Sequence, residues 1–169
     1  MTGLVLRRAA CADAYQTLAA LAHSIWHQHY PGMISVEQID YMLARGYAVS
    51  TLAAEQRAGT RLMLAYLEDA PIGFAATTPA KTSASADAWL DKLYVHTDAR
   101  GAGVARALAH DAICFARHST CQRLRLRVNR HNSGAIAAYQ RLGFGIDASD
   151  IKDIGNGYVM DDYLMSQRL

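Results

Sequence analysis

The sequence predicts a mixed α/β domain in which several antiparallel strands precede one strand-helix-strand crossover. Three observations predict this class. The apolar periodicity switches several times between helical and strand spacing. A glycine-rich turn in the segment DARGAGVARAL, residues 98–108, joins a buried apolar run to good helix formers. A further apolar run, RLRLRV at 123–128, follows that helix, which places the crossover at the centre of the chain.

The first half of the chain predicts one strand, two helices and a hairpin. The run LVLRRA, residues 4–9, is typical of a strand, and residues 12–30 carry apolar side chains at helical spacing. Residues 35–47 predict a second helix, for which Ser35 is the N-cap. Apolar runs at 60–69 and 72–79 flank Ala70 and Pro71, so we expect a hairpin turn at these two residues.

The second half predicts a strand at 88–96, the helix after the glycine turn and a strand at 123–128. The polar segment KTSASAD, 81–87, is expected to be an exposed loop. Residues 132–143 predict another helix, with Asn132 or Ser133 as cap and Gly143 as its end. The last segment, 157–169, predicts a strand that lies at an edge or meets a partner, which leaves a homodimer open.

Length and composition predict one domain, 1–169, which can bury roughly 70% of the surface of its unfolded chain. A net charge of +2 lacks the basic excess of nucleic-acid binders, so we expect no nucleic-acid partner. No apolar run approaches the roughly 18 residues of a membrane span, so we expect no membrane partner. Three cysteines without a C-x-x-C pair argue against a disulfide framework and indicate the cytoplasm.

The glycine-rich turn predicts an anion site. It leaves the first N–H groups of the following helix unpaired, at the positive end of the helix dipole, and Arg100 and Arg106 can add charge. A P-loop is excluded because Ala107 is not followed by lysine and a hydroxyl residue, and a Rossmann turn is disfavoured by Arg106 at the third glycine position. A plain helix start that carries glycine is the alternative.

Two segments resemble one family. Arg100-x-x-Gly103-x-Ala105 is similar to the Q/R-x-x-G-x-G/A turn of the GCN5-related N-acetyltransferase (GNAT) family. The segment NSGAIAAYQRLGF, 132–144, resembles the family's N-x-x-A-I-x-x-Y-x-x-L-G-F. The resemblance covers residues 90–145 well; Thr97, where the family often has proline, alters only the turn.

The resemblance implies a mostly antiparallel sheet flanked by helices, with a splayed cleft for acetyl-CoA and no metal. Backbone amides of the turn would hold the pyrophosphate, and the strand before it would pair with the pantetheine arm. The implied cofactor-binding residues are Leu93, Tyr94, Val95, Arg100, Gly101, Ala102, Gly103, Val104, Ala105, Arg106, Asn132 and Tyr139. Asn132 can serve as a helix cap at the same time.

The implied reaction is direct attack of a small-molecule primary amine on the thioester. Tyr139 matches the family tyrosine that protonates the departing thiolate. Asp91 matches the acid that several polyamine-acetylating relatives carry, and we expect it to act through a water; an ion pair with a basic neighbour is the alternative. Arg127 stands where another branch has a glutamate base, and it can contact an acidic substrate group or coenzyme A.

Trp26, His27 and Tyr30 lie on the helix that this family places beside the acceptor site, so they are candidate substrate contacts; core packing is the alternative. His23 and His27 have a zinc-compatible spacing with His29 nearby, but the glutamate of H-E-x-x-H is absent, so we expect no metal. The acceptor stays open between polyamine-like, amino-acid-like and antibiotic amines. A protein amine, or a non-catalytic acyl-CoA sensor, are the competing functions.

Overall fold

The protein is described by a computed structural model over residues 3–81 and 86–169. Its strands are β1 (Leu4–Arg8), β2 (Arg61–Leu67), β3 (Ala70–Thr78), β4 (Asp87–Val95), β5 (Arg123–Asn129), β6 (Gly145–Gly155) and β7 (Tyr158–Arg168). Its helices are α1 (Ala12–His29), α2 (Val36–Gly46), α3 (Val49–Arg57), α4 (Val104–His118) and α5 (Ser133–Arg141), with a short 3₁₀ turn at Thr97–Ala99.

The seven strands form one sheet in the order β1-β2-β3-β4-β5-β7-β6. Every neighbouring pair is antiparallel except β4 and β5, which run parallel and are joined through α4. A parallel pair needs a crossover of this kind, because the chain must return to the same end of the sheet. The predicted mostly antiparallel α/β fold with one central crossover is therefore confirmed.

Each face of the sheet carries its own apolar core, because successive side chains of a strand point to opposite faces. Leu62 and Leu64 of β2 pack with Phe74 of β3 beneath α1, α2 and α3. Met63 and Ala65 of the same strand face α4 and α5. The two layers of helices thus approach one another only where the sheet opens.

The predicted turn at Ala70 and Pro71 is wrong. The hairpin turns at Glu68 and Asp69, which both have positive φ, whereas Ala70 pairs with Leu67 inside the β2–β3 ladder. Two-residue hairpin loops favour positive φ at both positions because their twist then matches that of the strands. Pro71 is tolerated near the start of β3, where a missing N–H costs little.

Two elements were not predicted, and one prediction is only partly described. Helix α3 buries a single residue, Leu52, and has no side-chain cap, so its sequence carries little helical periodicity. Strand β6 lies at the edge of the sheet and is exposed along most of its length. The expectation that the last strand lies at an edge or meets a partner is therefore wrong, because β7 pairs with β5 on one side and β6 on the other. Of the predicted polar loop, residues 82–85 lie outside the described residues, and Asp87 already belongs to β4.

Helix α2 is tied to the β6–β7 hairpin. The Gln38 amide donates to the carbonyl oxygen of Val159 at 3.2 Å, and the Tyr41 hydroxyl donates to that of Ile154 at 2.9 Å. Arg45 donates to the same Ile154 oxygen at 2.7 Å. These bonds fix the hairpin and α2 as two walls around the end of β5.

Candidate active site

The cleft opens where β4 and β5 separate. These strands pair only over Asp87–Trp89 and Arg123–Arg125, and the rest of each strand diverges. The cavity has a volume of about 750 Å³, within the range of small-molecule sites. It is lined by β4, β5, the start of α4, one face of α5 and parts of α1 and α2. On the cleft side, the edge of β4 beyond Trp89 is therefore available to pair with an extended ligand.

A β-bulge places Asp91 at the opening. In the β3–β4 ladder, Ala76 pairs with Lys92 and Thr77 with Leu90, so the register skips Asp91. Bulges re-aim side chains and are common beside active sites. The Thr78 hydroxyl donates to Oδ2 of Asp91 at 2.5 Å. Desolvation raises the pKa of Asp91, against the opposing effects of the Thr78 bond and the Lys92 charge.

The glycine turn presents free backbone donors to the same cleft. Gly103 is the N-cap of α4 in the left-handed conformation, and no side chain caps this helix. By contrast, Ser35 and Asn132 cap α2 and α5 through their side-chain oxygens. A Cβ built on Gly101 or Gly103 would meet nothing within 4 Å, so the turn leaves room for a ligand close to the backbone.

Arginines give this end of the cleft a positive charge. Arg100, Arg106 and Arg141 line it, and no carboxylate in the described part of the chain forms a salt bridge with them. Arg100 also lies 3.2 Å from Nδ1 of His29, whose Nε2 is 3.0 Å from the Asn132 amide. Desolvation and the Arg100 charge lower the pKa of His29, so its ring is neutral at pH 7.

An aromatic wall closes the cleft on the α1 side. The Trp26 ring packs against Tyr30, Tyr47 and Tyr94 at centroid distances of 4.7 to 5.5 Å. The hydroxyls of Tyr30 and Tyr94 are 3.1 Å apart. Burial raises the pKa of Tyr30 to about 12, so this phenol stays protonated throughout the physiological range.

Tyr139 projects from α5 into the cleft and packs against Phe144 with ring centroids 5.8 Å apart. Desolvation raises the pKa of its phenol, and the neighbouring Tyr30 adds to the effect. A raised pKa makes this phenol a weaker acid than an ordinary tyrosine, and it is protonated at pH 7. Its place in the cleft, rather than its pKa, makes it a candidate proton donor.

Acidic groups line the opposite part of the cleft. Asp162 of β7 is 5% exposed, and its Oδ1 is buried without a hydrogen-bond partner among the described residues. Arg127 of β5 is held by Oδ2 of Asp150 at 2.7 Å, and its guanidinium lies over the Trp89 ring at 4.4 Å. We call the part of the cleft formed by Trp26, Tyr30, Asp91, Arg127 and Asp162 the acceptor half.

Most residues predicted from the sequence meet at this cavity. Those that line it are Trp26, Tyr30, Asp91, Leu93, Tyr94, Val95, Arg100, Gly101, Gly103, Val104, Ala105, Arg106, Arg127, Asn132 and Tyr139. Ala102 does not line the cavity, and its N–H is used within the turn, 3.4 Å from the carbonyl oxygen of Ala99. His29, Asn129, Arg141 and Asp162 line it without having been predicted.

His27, predicted as a substrate contact, lies elsewhere. Its Nε2 is 2.8 Å from Asp40 Oδ1 and its Nδ1 is 2.9 Å from the carbonyl oxygen of His23, so the ring bridges α1 and α2 outside the cleft. The backbone bond to His23 has the largest effect and raises the pKa of His27; desolvation comes next and lowers it, and Asp40 raises it further. His23, His27 and Asp40 place one potential metal-ligand atom each within 4.8 Å of one another. Two oxygen partners on one ring favour the protonated imidazole over a metal ligand.

The chain matches known proteins along most of its length. The model of the acetyltransferase (GNAT) family matches residues 19–144. The peptidyl-lysine N-acetyltransferase YjaB of Escherichia coli K12 is 30% identical over 112 residues, which cover 63% of this chain and 73% of that protein.

Solved structures with the same fold match nearly the whole length of this chain. The PaiA N-acetyltransferase from Thermoplasma acidophilum, in complex with coenzyme A, has a TM-score of 0.83 at 21% identity and 99% coverage of both chains. The acetyltransferase YncA from Salmonella typhimurium, with acetyl-CoA, has a TM-score of 0.69 at 18% identity, with coverages of 98% and 94%. Among the described helices, none is long and apolar enough to cross a membrane.

Proposed function

The chain belongs to the GNAT family of acetyltransferases, and from this premise we propose that it transfers an acetyl group from acetyl-CoA to a primary amine of a small molecule. The observation that carries the proposal is the single continuous cleft. It joins a glycine turn with free N–H groups, and arginines that form no salt bridge within residues 3–81 and 86–169, to an acceptor half that contains two carboxylates. Such a cleft has opposite electrostatic preferences at its two ends, as an anionic donor and a cationic acceptor require.

The turn fits the pyrophosphate of acetyl-CoA. Free N–H groups at the start of α4 offer donors at the positive end of its dipole, and Arg100 and Arg106 supply full charges. The open space above Gly101 and Gly103 allows an anion to approach the backbone. The free edge of β4 at Leu93–Val95 would bind the pantetheine arm like an added strand, and Asn132 lies at the same cleft.

Acetyl-CoA supplies an acyl carbon activated as a thioester. Tyr139 would donate its proton to the departing sulfur, since the phenol is protonated at pH 7 and lines the same cleft. The neighbouring Tyr30 and Tyr94 hydroxyls form a polar line within the aromatic wall.

The acceptor must lose a proton before it can attack. An alkyl amine with pKa about 10.4 is neutral to only about 0.04% at pH 7, a cost of roughly 4.6 kcal/mol. Asp91 would lower this cost by taking a proton through a water, because desolvation raises its pKa above that of an ordinary aspartate. Its position on the bulge directs it towards the opening rather than into the β3–β4 ladder.

A lysine side chain of a protein is the second candidate acceptor. It is favoured by the relative YjaB, which is named a peptidyl-lysine N-acetyltransferase. A small amine fits better the acceptor half of this chain, because α2 and the β6–β7 hairpin are tied together around it. These walls leave less room for a folded protein surface than an open groove would.

Steady-state thiol release from acetyl-CoA tests the proposal. The panel contains 1,4-diaminobutane, spermidine, lysine amide, an aminoglycoside and an acetyl-capped lysine peptide. We expect at least one free amine to release thiol with a higher kcat/KM than the peptide. Peptide turnover without turnover of any free amine would assign the protein-directed activity instead, and binding of acetyl-CoA without any turnover would indicate a sensor.

A further inference from the structure

Asp162 is a buried acid that the mechanism above leaves without a role. In the sheet it lies between Asn129 of β5 and Asp150 of β6. Residue pairs directly opposite in a ladder share a face, so Asp162 points to the same side as Asn129, which also lines the cleft. Asp162 is only 5% exposed, and it lines the cleft.

One oxygen of Asp162 has no partner. Oδ1 is buried and accepts no hydrogen bond within the part of the chain that the structure describes. Leaving a buried acceptor unpaired destabilises a protein, and more so when it is charged. The nearest cation, Arg127, is committed to Asp150 at 2.7 Å. Oδ1 of the adjacent Asp161 is also buried without a hydrogen bond among the described residues, but it differs in lying 3.0 Å from Nη2 of Arg130, with which it forms a salt bridge.

The surroundings of Asp162 connect it to the reacting centre. Its charge raises the pKa of Tyr30, and Tyr30 in turn raises that of Tyr139. Tyr30 is therefore close enough to both groups to feel their charges, and all three side chains line the same cleft. An amine bound at the carboxylate of Asp162 would share this cleft with Tyr139.

We propose that Asp162 binds the reacting nitrogen of the acceptor through its carboxylate and takes the proton that this nitrogen loses as it attacks. The proposal rests on the proposed acetyl transfer. The nitrogen lone pair forms the C–N bond, the C–S bond breaks, and sulfur receives a proton from Tyr139. The nitrogen's proton passes to Asp162 and returns to Tyr139 through solvent, which restores the enzyme and leaves an amide and a thiol.

Asp91 and Asp162 then accept different protons. An ammonium acceptor must give up one proton before attack, which Asp91 takes through water at the bulge. It gives up a second as the C–N bond forms, which Asp162 takes directly. This division accounts for both carboxylates and for the buried, unpaired oxygen of one of them.

The charges around Asp162 suit this role. It faces Tyr30 from α1, Arg127 from β5 and Asp150 from β6, and the charge of Asp161, which points to the other face of β7, also acts on it. Burial is the largest effect and raises the pKa of Asp162 to about 6; Arg127 opposes it, and the two aspartates add to it. Asp162 is thus ionised at pH 7 and yet a stronger base than an ordinary aspartate.

The test compares Asp162→Asn with Asp161→Asn, using the panel amine that the wild type acetylates fastest. We expect Asp162→Asn to lower kcat about 100-fold at pH 7, within the usual range for general-base catalysis, while acetyl-CoA affinity by calorimetry changes less than a few-fold. Asp161→Asn should keep its kcat within a few-fold. In the wild type and in Asp91→Asn, kcat should fall as the pH drops through about 6; in Asp162→Asn this limb should be absent.

The outcomes separate the two proposals. If the wild type turns over and Asp162→Asn matches it, or keeps the acidic limb, Asp162 is not the proton acceptor although the acetyl transfer stands. If the wild type binds acetyl-CoA but acetylates no amine, the proposed function fails and the role of Asp162 fails with it. A parallel loss in Asp161→Asn would overturn the assignment, because it would show an unspecific effect of charge on β7.

Discussion

At the scale of single residues, the hydroxyl of Tyr139 carries the clearest chemical prediction. We expect Tyr139→Phe to lower kcat about 100-fold at pH 7, because a thiol with pKa around 8.5 is already a fair leaving group and gains modestly from protonation. Acetyl-CoA affinity should stay within a few-fold, since the ring would still pack against Phe144. Stopped assays of thiol release and calorimetry measure the two quantities.

The same variant has an internal control. With an acyl donor whose leaving thiol is more acidic, the deficit of Tyr139→Phe should shrink, because the departing sulfur needs less help. Normal turnover of the variant with acetyl-CoA would show that Tyr139 is a packing residue.

The raised pKa of Asp162 also predicts how the free energy of unfolding depends on pH. Its pKa is raised from 3.8 to about 6 in the folded protein, so the folded state binds the proton more tightly than the unfolded chain does. Stability from this group is therefore present below pH 4 and is lost as the pH rises towards 6, by about 3 kcal/mol at most.

Asp162→Asn removes that loss. We expect the variant to melt several degrees above the wild type at pH 8, with the difference nearly gone at pH 4. Melting curves at the two pH values measure this. An equal shift at both would mean that the charge of Asp162 is not the cause.

Sequence alone could not identify Asp162. The run VMDDYL places two acids side by side, and alternation along a strand sends them to opposite faces. Only the register of β7 against β5 decides which of the two points into the cleft. Tyr139 and Asn132, by contrast, were predictable because a local motif on one helix fixes both.

At the scale of elements, the start of α4 carries the prediction about how the acetyl donor binds. We expect Gly103→Glu to abolish acetyl-CoA binding, because its carboxylate would enter the space over the turn and repel the pyrophosphate. Gly103 also has φ of +78°, a conformation that side chains disfavour. Calorimetry with acetyl-CoA measures the loss.

Gly59→Glu is the matched control for Gly103→Glu. Gly59 also has positive φ and open space around its Cβ position, but it lies between α3 and β2, outside the cleft. The Gly59→Glu substitution adds the same charge as Gly103→Glu and a similar backbone strain. If both variants lost acetyl-CoA, or if neither did, the turn would not be the pyrophosphate site.

The contact between α1 and α2 predicts that activity does not depend on a metal. His27 bonds to two oxygens outside the cleft, so no metal there can reach the reacting atoms. Dialysis against EDTA should leave kcat unchanged. Loss of turnover that zinc restores would require the His23, His27 and Asp40 cluster to be reinterpreted as a metal centre.

Elements with strong local signals were predictable, and those defined by their neighbours were not. Ser35 caps α2 as its sequence indicates, with the Gln38 N–H donating to its Oγ at 3.1 Å. Strand β6 carries no alternating apolar face, because it is an edge strand exposed over most of its residues. Its existence follows from pairing with β7 rather than from its own pattern.

At the scale of the whole molecule, the split between β4 and β5 makes the site possible. It lets the two helical layers meet through the sheet, so that α4 and α5 supply the donor side while α1 and α2 supply the acceptor side. The motifs predicted the donor side, which is built from contiguous segments. The acceptor side combines α1, β4, β5 and β7, and was therefore only partly predictable.

The most direct test of acetyl transfer is a single turnover with acetyl-CoA that carries a label in its acetyl group. The protein is loaded with the labelled donor in less than equimolar amount and mixed with the panel amine that releases thiol fastest. We expect the label to pass to the amine nitrogen as an amide, at the rate of thiol release, with no labelled protein at any time. Label that first accumulates on the protein would contradict direct attack, and label that stays on coenzyme A would contradict the proposed enzyme.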